Sequence, residues 1–362
     1  PPRSTLFPYT TLFRSVMKKK ILATVLAGTM ALSLAACGGS KTEETTAAPK
    51  ETAAETTEAA GEGAESSEAA ASDWKPEGTV SIVVPAGAGG DTDLSARVFA
   101  QYAKEKTGVD FIVVNSNGAA GSVAANQVLE AAPDGMTCLY GHALVNVANV
   151  AGVTDYNYSA FKIGPSFALE PAQQFYTFTE KYPDLDSFIE AAKANPGQLK
   201  ACTEVGAYTY YELLGFQEAA GIELDLVDAG STSDKIAAML SGQIDLMPGP
   251  YVNCKDYLEA GQFTCIAAPT DERYDLIADI PTLKEQGIDF SYPNQEFSFY
   301  FPKETPDEVI AWYDSLVKEI VESEEGKQAI AGLQMMPNYL NSADRKSTRL
   351  NSSHLYISYA VF

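Results

Sequence analysis

Cations, histidines and long apolar runs are what this 362-residue sequence has least of. Only 25 Lys and Arg face 48 acidic residues, a formal net charge of −23. Nucleic acid demands clustered cations, so a nucleic-acid partner is excluded. An anionic small molecule would have to be held by local dipoles instead of by overall charge. The two histidines, His142 and His354, and the five cysteines fall at spacings that match no metal pattern. No metal or other cofactor is expected. Cys138, Cys202, Cys254 and Cys265 read as structural thiols, with a disulfide left open in an exported protein. The apolar stretch Ile21–Leu34 is too short to span a bilayer.

The ends of the chain differ from its middle. Residues 1–16 and 345–362 lack hydrophobic period and carry Arg-Ser or Lys-Ser-Thr-Arg-Leu fragments, so they read as flanks foreign to a product running from Met17 to near Asp344. Residues 17–36 have the form of a signal peptide, with Lys18, Lys19 and Lys20 ahead of the apolar stretch. It closes on Leu34-Ala35-Ala36-Cys37-Gly38, which resembles a bacterial lipoprotein cleavage box and makes Cys37 the expected lipidation site. Localisation is therefore expected at the cell membrane, on its extracytoplasmic face, with the membrane a partner through the lipid anchor. Residues 37–73 are almost entirely Ala, Glu, Thr, Ser, Gly and Lys. Such a segment cannot bury enough apolar area to offset its ordering entropy and is expected to be a disordered tether, with an end-to-end distance of roughly 30–35 Å.

After Trp74, strand and helix patterns alternate. Val80–Val84 is short, β-branched and apolar; Gly87, Gly89 and Gly90 follow, and a helix from Leu94 is capped by Thr92 or Asp93 in this reading. Further strands are expected at 111–114, 136–140, 199–202, 223–227, 244–247 and 264–268. Helices are expected at 122–131, 185–194, 208–220, 233–241, 253–260, 306–323 and 324–333. The aromatic-rich stretches 175–178 and 297–301 read as core strands. Alternation of this kind predicts α/β lobes, each a mostly parallel sheet flanked by helices, with ligands at the carboxyl ends of strands. There the small polar residues gather, at Gly87–Asp93, Asn115–Ser122, Gly141-His142, Thr203–Tyr208, Asp228–Thr232 and Pro248–Tyr251. Helix N-termini converging on one cleft would form a neutral-walled anion trap.

With these loops in place the chain resembles the solute-binding family of tripartite tricarboxylate transporters, the TctC or Bug type. The likeness spans about 78–340. It rests on Val83-Val84-Pro85 with Gly89-Gly90-Asp91-Thr92-Asp93 and Arg97, on Asn115 with Gly118 and Gly121-Ser122, and on Ala132-Pro133-Asp134-Gly135. It rests also on Ala194-Asn195-Pro196-Gly197-Gln198-Leu199, Leu240-Ser241-Gly242-Gln243-Ile244-Asp245-Leu246-Met247 and Asp279-Ile280-Pro281-Thr282-Leu283. The resemblance implies a two-lobed, periplasmic-binding-protein-like Venus-flytrap fold. Lobe 1 takes 78–172 plus 290–344, and lobe 2 takes 173–289. It also implies capture of a small organic carboxylate and its delivery to membrane transporter subunits. On matching positions, one ligand carboxylate falls to Ala86, Gly87, Gly89, Gly90, Asp91, Thr92 and Asp93 with Asn117, Ala119, Ala120, Gly121 and Ser122. The opposite lobe contributes Thr203, Glu204, Gly206, Ala207, Tyr208, Gly230, Ser231 and Tyr251, and His142 lies near the cleft.

The departures from the family pattern are informative. An aromatic before the first loop is replaced by Ala86, an arginine is missing at Asn115–Gly118, and a lysine is missing at Asp228–Ser231. Glu204 stands where the family prefers a small residue. A carboxylate facing a ligand carboxylate is repelled, which points to a ligand less anionic than citrate, with one carboxylate and an amine or neutral polar end. A dinucleotide-dependent enzyme is disfavoured, because Asn115 ends the second strand where a ribose-binding acid belongs. A sensor presenting the same ligand to a membrane receptor is the closer alternative.

Overall fold

The computed structural model describes residues 72–345. The expected signal peptide, the lipidation site Cys37 and the tether up to 71 lie outside the described residues, as does 346–362. Among the described residues, no helix is long and apolar enough to cross a membrane.

The first lobe is built on β1 (Val80–Val84), α1 (Asp91–Thr107), β2 (Phe111–Asn115), α2 (Ser122–Leu129), β3 (Thr137–Gly141), α3 (Leu144–Val150) and β4 (Phe161–Glu170). The chain crosses to the second lobe through β5 (Gln174–Phe178), α4 (Leu185–Ala194), β6 (Lys200–Thr203) and α5 (Tyr208–Ala220). That lobe continues with β7 (Asp225–Asp228), α6 (Thr232–Leu240), β8 (Met247–Gly249), α7 (Tyr251–Glu259) and β9 (Phe263–Ala267). It returns through β10 (Gln295–Pro302), α8 (Asp307–Glu322), α9 (Glu324–Gly332) and β11 (Met336–Pro337).

Lobe 1 carries a six-stranded sheet in the order β11-β4-β10-β3-β1-β2. The pairs of β1 with β2 and β3 are parallel, as the alternation predicts, whereas β10 inserts antiparallel between β3 and β4, and β11 pairs antiparallel with β4 at the edge. In lobe 2, β6 and β7 are parallel, and β8-β5-β9 is an antiparallel sheet whose strands the pattern of short apolar runs does not distinguish from parallel ones. The long strand β4 and the helix α3 are additions to the elements expected from sequence.

Each lobe has its own core. In lobe 1, Phe99 of α1 lies against Phe299 of β10, ring centroids 4.6 Å apart, within a cluster that includes Tyr140, Phe167, Phe297, Phe301 and Tyr313. In lobe 2, Phe175 of β5 meets Phe216 of α5 at 4.8 Å, among Phe188, Leu213 and Leu246. Burying each such side chain stabilises by about 1.5–3 kcal/mol, so the two aromatic stretches are core strands that anchor the lobes. Cys138, Cys202, Cys254 and Cys265 are free thiols. At the boundary expected for the C-terminal flank, Arg345 is buried in lobe 1, where its Nε donates to Glu296 Oε1 at 2.8 Å and its guanidinium also reaches the Gly164 carbonyl.

Candidate functional site

The two lobes meet over a cleft of about 110 Å3. Its first wall is the loop between β1 and α1. This loop is held from behind by Asp93, which is buried although it belongs to the glycine corner. Asp93 accepts hydrogen bonds from the Gly89 N–H at 2.8 Å, Asn115 Nδ2 at 2.9 Å and Arg97 Nε at 2.9 Å. Burial alone would raise the Asp93 pKa, but Arg97, the Gly89 N–H and Asn115 together hold it below the ordinary range. Asn115 also donates to the Ala86 carbonyl at 3.0 Å. These residues shape the wall; they do not line it. The helix begins three residues earlier than expected, with Gly90 as its N-cap and no side-chain cap, so Thr92 and Asp93 lie in its first turn.

The second wall is the loop entering α2, where four consecutive residues adopt positive φ: Gly118 (126°), Ala119 (49°), Ala120 (51°) and Gly121 (88°). For alanine this left-handed conformation costs roughly 1–2 kcal/mol per residue. It turns the Ala120 N–H toward lobe 2, where Glu204 Oε1 accepts it at 3.0 Å. The unusual Glu204 therefore meets a backbone donor across the cleft. Burial raises the Glu204 pKa, against the pull of the Ala120 N–H and of Lys235.

The third wall is the start of α5 and of α6. Ala207, the N-cap of α5, makes no side-chain cap hydrogen bond, whereas Ser231 closes a capping box with Asp234 at α6. A Cβ on Gly87 would stand 3.0 Å from the Ser231 Cβ, so glycine there lets the lobes approach. Asn253 of α7 adds a further tie, donating from Nδ2 to the Gly89 carbonyl at 2.7 Å.

The floor lies where the chain crosses between lobes. Glu170 at the end of β4 is fully buried and accepts from Gln173 Nε2 at 3.1 Å and Gln295 Nε2 at 2.9 Å. Gln173 also donates to Asp91 Oδ2 at 3.2 Å. Burial first, and then the Asp91 carboxylate, pushes the Glu170 carboxyl well above its ordinary range. Burial does the same to Glu212, opposed by the charge of Lys235.

Of the residues expected from sequence, Ala86, Gly87, Gly90, Asp91, Thr92, Asn117, Ala120, Gly121 and His142 line the cleft from lobe 1. Glu204, Ala207, Tyr208, Gly230 and Ser231 line it from lobe 2. Gly89, Asp93, Ala119, Ser122, Thr203 and Gly206 belong to the same loops but lie outside the lining. Thr203 bonds Thr209 behind the wall at 2.7 Å, and Gly206 sits against Ala151 and Val153. Tyr251 packs beside Ile277 and Ile280, away from the lining. Thr232 lines the cleft from the expected loop Asp228–Thr232, whereas sequence reasoning missed Pro85, Leu144, Gln173, Thr209, Lys235 and Gln295. Lys235 matters most, because it puts a cation into a wall expected to be neutral. Its signal was available: it is a lone lysine one turn into a helix whose start was already assigned to the cleft. The glutamines also had one, as polar residues at the edges of otherwise apolar strands.

A family profile described as "Tripartite tricarboxylate transporter family receptor" matches residues 95–352. A relative from Cupriavidus necator, "UPF0065 protein in gbd 5'region", is 28% identical over 283 residues, covering 75% of this chain and 84% of that protein. Protein BugT of Bordetella pertussis is 23% identical over 272 residues, covering 73% of this chain and 83% of its own. Among solved structures, MatC from Rhodopseudomonas palustris with bound malate superposes with a TM-score of 0.73 at 22% identity, covering 79% of this chain and all of that one. A second R. palustris protein, solved with adipate, gives 0.71 at 22% identity, covering 79% of this chain and 95% of that one. Both share the two-lobed fold. The chain belongs to the tripartite tricarboxylate transporter receptor family, whose members are extracytoplasmic solute-binding proteins and not enzymes.

Proposed function

We propose that this protein is a lipid-anchored receptor that captures a small organic carboxylate between its lobes and delivers it to the membrane subunits of a tripartite tricarboxylate-type transporter. The observation that carries the reading is the cleft, which loops from both lobes enclose and on which backbone, amide, hydroxyl and charged groups of both lobes converge. Gly87, Gly90, Asn117, Gly121 and Thr92 form the lobe 1 side of the solute site; Tyr208, Thr209 and Ser231 form the other. The bound malate and adipate of the two R. palustris proteins support the ligand class. The cleavage box at Cys37 supports the anchor.

The chain crosses between lobes at 170–174 and again near 290–295, so two short segments act as the hinge. A solute that bonds both walls favours the closed arrangement by its differential affinity for it. Closure excludes water, which strengthens each hydrogen bond inside. The test is thermal unfolding of the full chain with individual mono-, di- and tricarboxylates and amino acids. A true solute at 100 times its Kd stabilises by about 2.7 kcal/mol, which reads as a saturable rise in Tm. Failure of every compound in the panel to move the transition overturns the reading.

A further inference from the structure

Lys235 is 8% exposed, and it lines the cleft from the first turns of α6. The one hydrogen bond of its side chain among the described residues is a long one, from Nζ to Thr209 Oγ1 at 3.4 Å. Among the described residues, no carboxylate lies within 4.0 Å of its Nζ, although Glu204 and Glu212 are close enough to feel its charge. A buried ammonium has three donors to satisfy and a large desolvation cost to offset. Lys235 lines the space a solute would fill.

Two acids line the same space, Asp91 from lobe 1 and Glu204 from lobe 2. Asp91 is tied on both oxygens, to the Thr92 N–H at 2.7 Å and to Gln173, and Glu204 Oε1 is tied to the Ala120 N–H. Each carboxylate has further lone pairs for a donor on the solute. Glu170 and Glu212 are buried behind the wall and are not part of the lining. The lining thus holds two acidic side chains, Asp91 and Glu204, and one basic one, Lys235.

We propose, resting on the reading of the cleft as a solute site, that this receptor selects a small zwitterion: Lys235 and Thr209 take the solute's carboxylate, and Asp91 and Glu204 take its ammonium group. A neutral amino acid places one charge of each sign and satisfies both halves of the lining. A dicarboxylate satisfies Lys235 with one end and sets the other against Asp91 and Glu204. The small volume favours a compact amino acid. Lys235 supplies the charge that helix dipoles were expected to supply alone, and Glu204 makes the choice between ammonium and second carboxylate.

Calorimetric titration of the full chain with each neutral L-amino acid, with its deaminated acid (propionate for alanine), and with succinate, malate, adipate and citrate tests this. At least one neutral amino acid is expected to bind 100-fold or more tightly than its deaminated counterpart and than every dicarboxylate. Lys235→Met is expected to weaken that amino acid at least 100-fold, whereas Lys235→Arg, which keeps the charge, retains part of the affinity. Glu204→Gln is expected to weaken the amino acid about 10-fold and to improve succinate or malate. Thermal melts establish that the variants fold, and the wild-type comparison needs no variant. Succinate, malate, adipate or citrate binding better than every amino acid overturns the zwitterion and leaves solute capture standing. Amino-acid binding undiminished in Lys235→Met also overturns it. Binding of no compound in either class overturns solute capture itself.

Discussion

Asp93 shows how a single residue in the glycine corner acts without touching the cleft. It gathers three donors from three places, the Gly89 backbone, the Arg97 guanidinium and the Asn115 amide, and so fixes the loop that Ala86 and Gly87 present to the other lobe. Asp93→Ala leaves those donors without their acceptor and is expected to cost about 2–4 kcal/mol in urea unfolding. Asp93→Asn keeps the shape and should cost less. The pH dependence follows from the direction of its shift. A carboxyl held below its unfolded value contributes stability above that value, and the contribution disappears as pH falls through the folded one. The wild-type advantage over Asp93→Asn should therefore be full at pH 7 and shrink below about pH 4. An advantage that grows on acidification would show that the Asp93 contacts are not what holds the loop. The glycines of this corner were legible in the sequence because their freedom has a local signature. The role of Asp93 was not, because which way a first-turn acid faces depends on Asn115, 22 residues away.

At the scale of elements, the legible parts were those whose boundaries are written locally. Helix α4 runs Leu185–Ala194 as expected, between the Asp184 capping box and Asn195-Pro196. Strand β1 and helix α5 also match the expected bounds. Strand β4 escaped because Gly164 and Pro165 interrupt it, and its extended form comes from pairing with β10, more than 120 residues on. Antiparallel pairing of β10 is equally a tertiary choice, invisible to a pattern of short apolar runs. Lys235 was overlooked for a related reason: lysines on helices are mostly solvated, and only its place on the Met239 face of α6 buries it. The loop 118–121 makes the clearest element-scale prediction. Gly121 has φ +88°, and a Cβ there would stand 2.6 Å from Leu144 Cδ1. Gly121→Ala should thus combine backbone strain with a clash at the cleft wall and lose about 2–4 kcal/mol in urea unfolding. Wild-type stability in that variant would mean that the loop does not hold this conformation.

Over the whole molecule, the described residues of the two lobes meet through polar and close backbone contacts at the cleft. The Ala120 N–H to Glu204 bond, the Asn253 to Gly89 bond and the close approach of Gly87 to Ser231 all cross the cleft. Behind them lies a cluster of buried polar groups, Glu170 with Gln173 and Gln295, at the proposed hinge. On the proposed function, opening would break these hydrogen bonds and leave both aromatic cores intact. The central claim is that a solute is held by both lobes at once, and hydrogen exchange of the full chain with and without a saturating solute tests it most directly. The account predicts slowed exchange together in residues 86–92 and 117–122 of lobe 1 and in 204–209 and 230–235 of lobe 2, with the cores unchanged. Protection confined to one lobe, or appearing only away from these four segments, would contradict it.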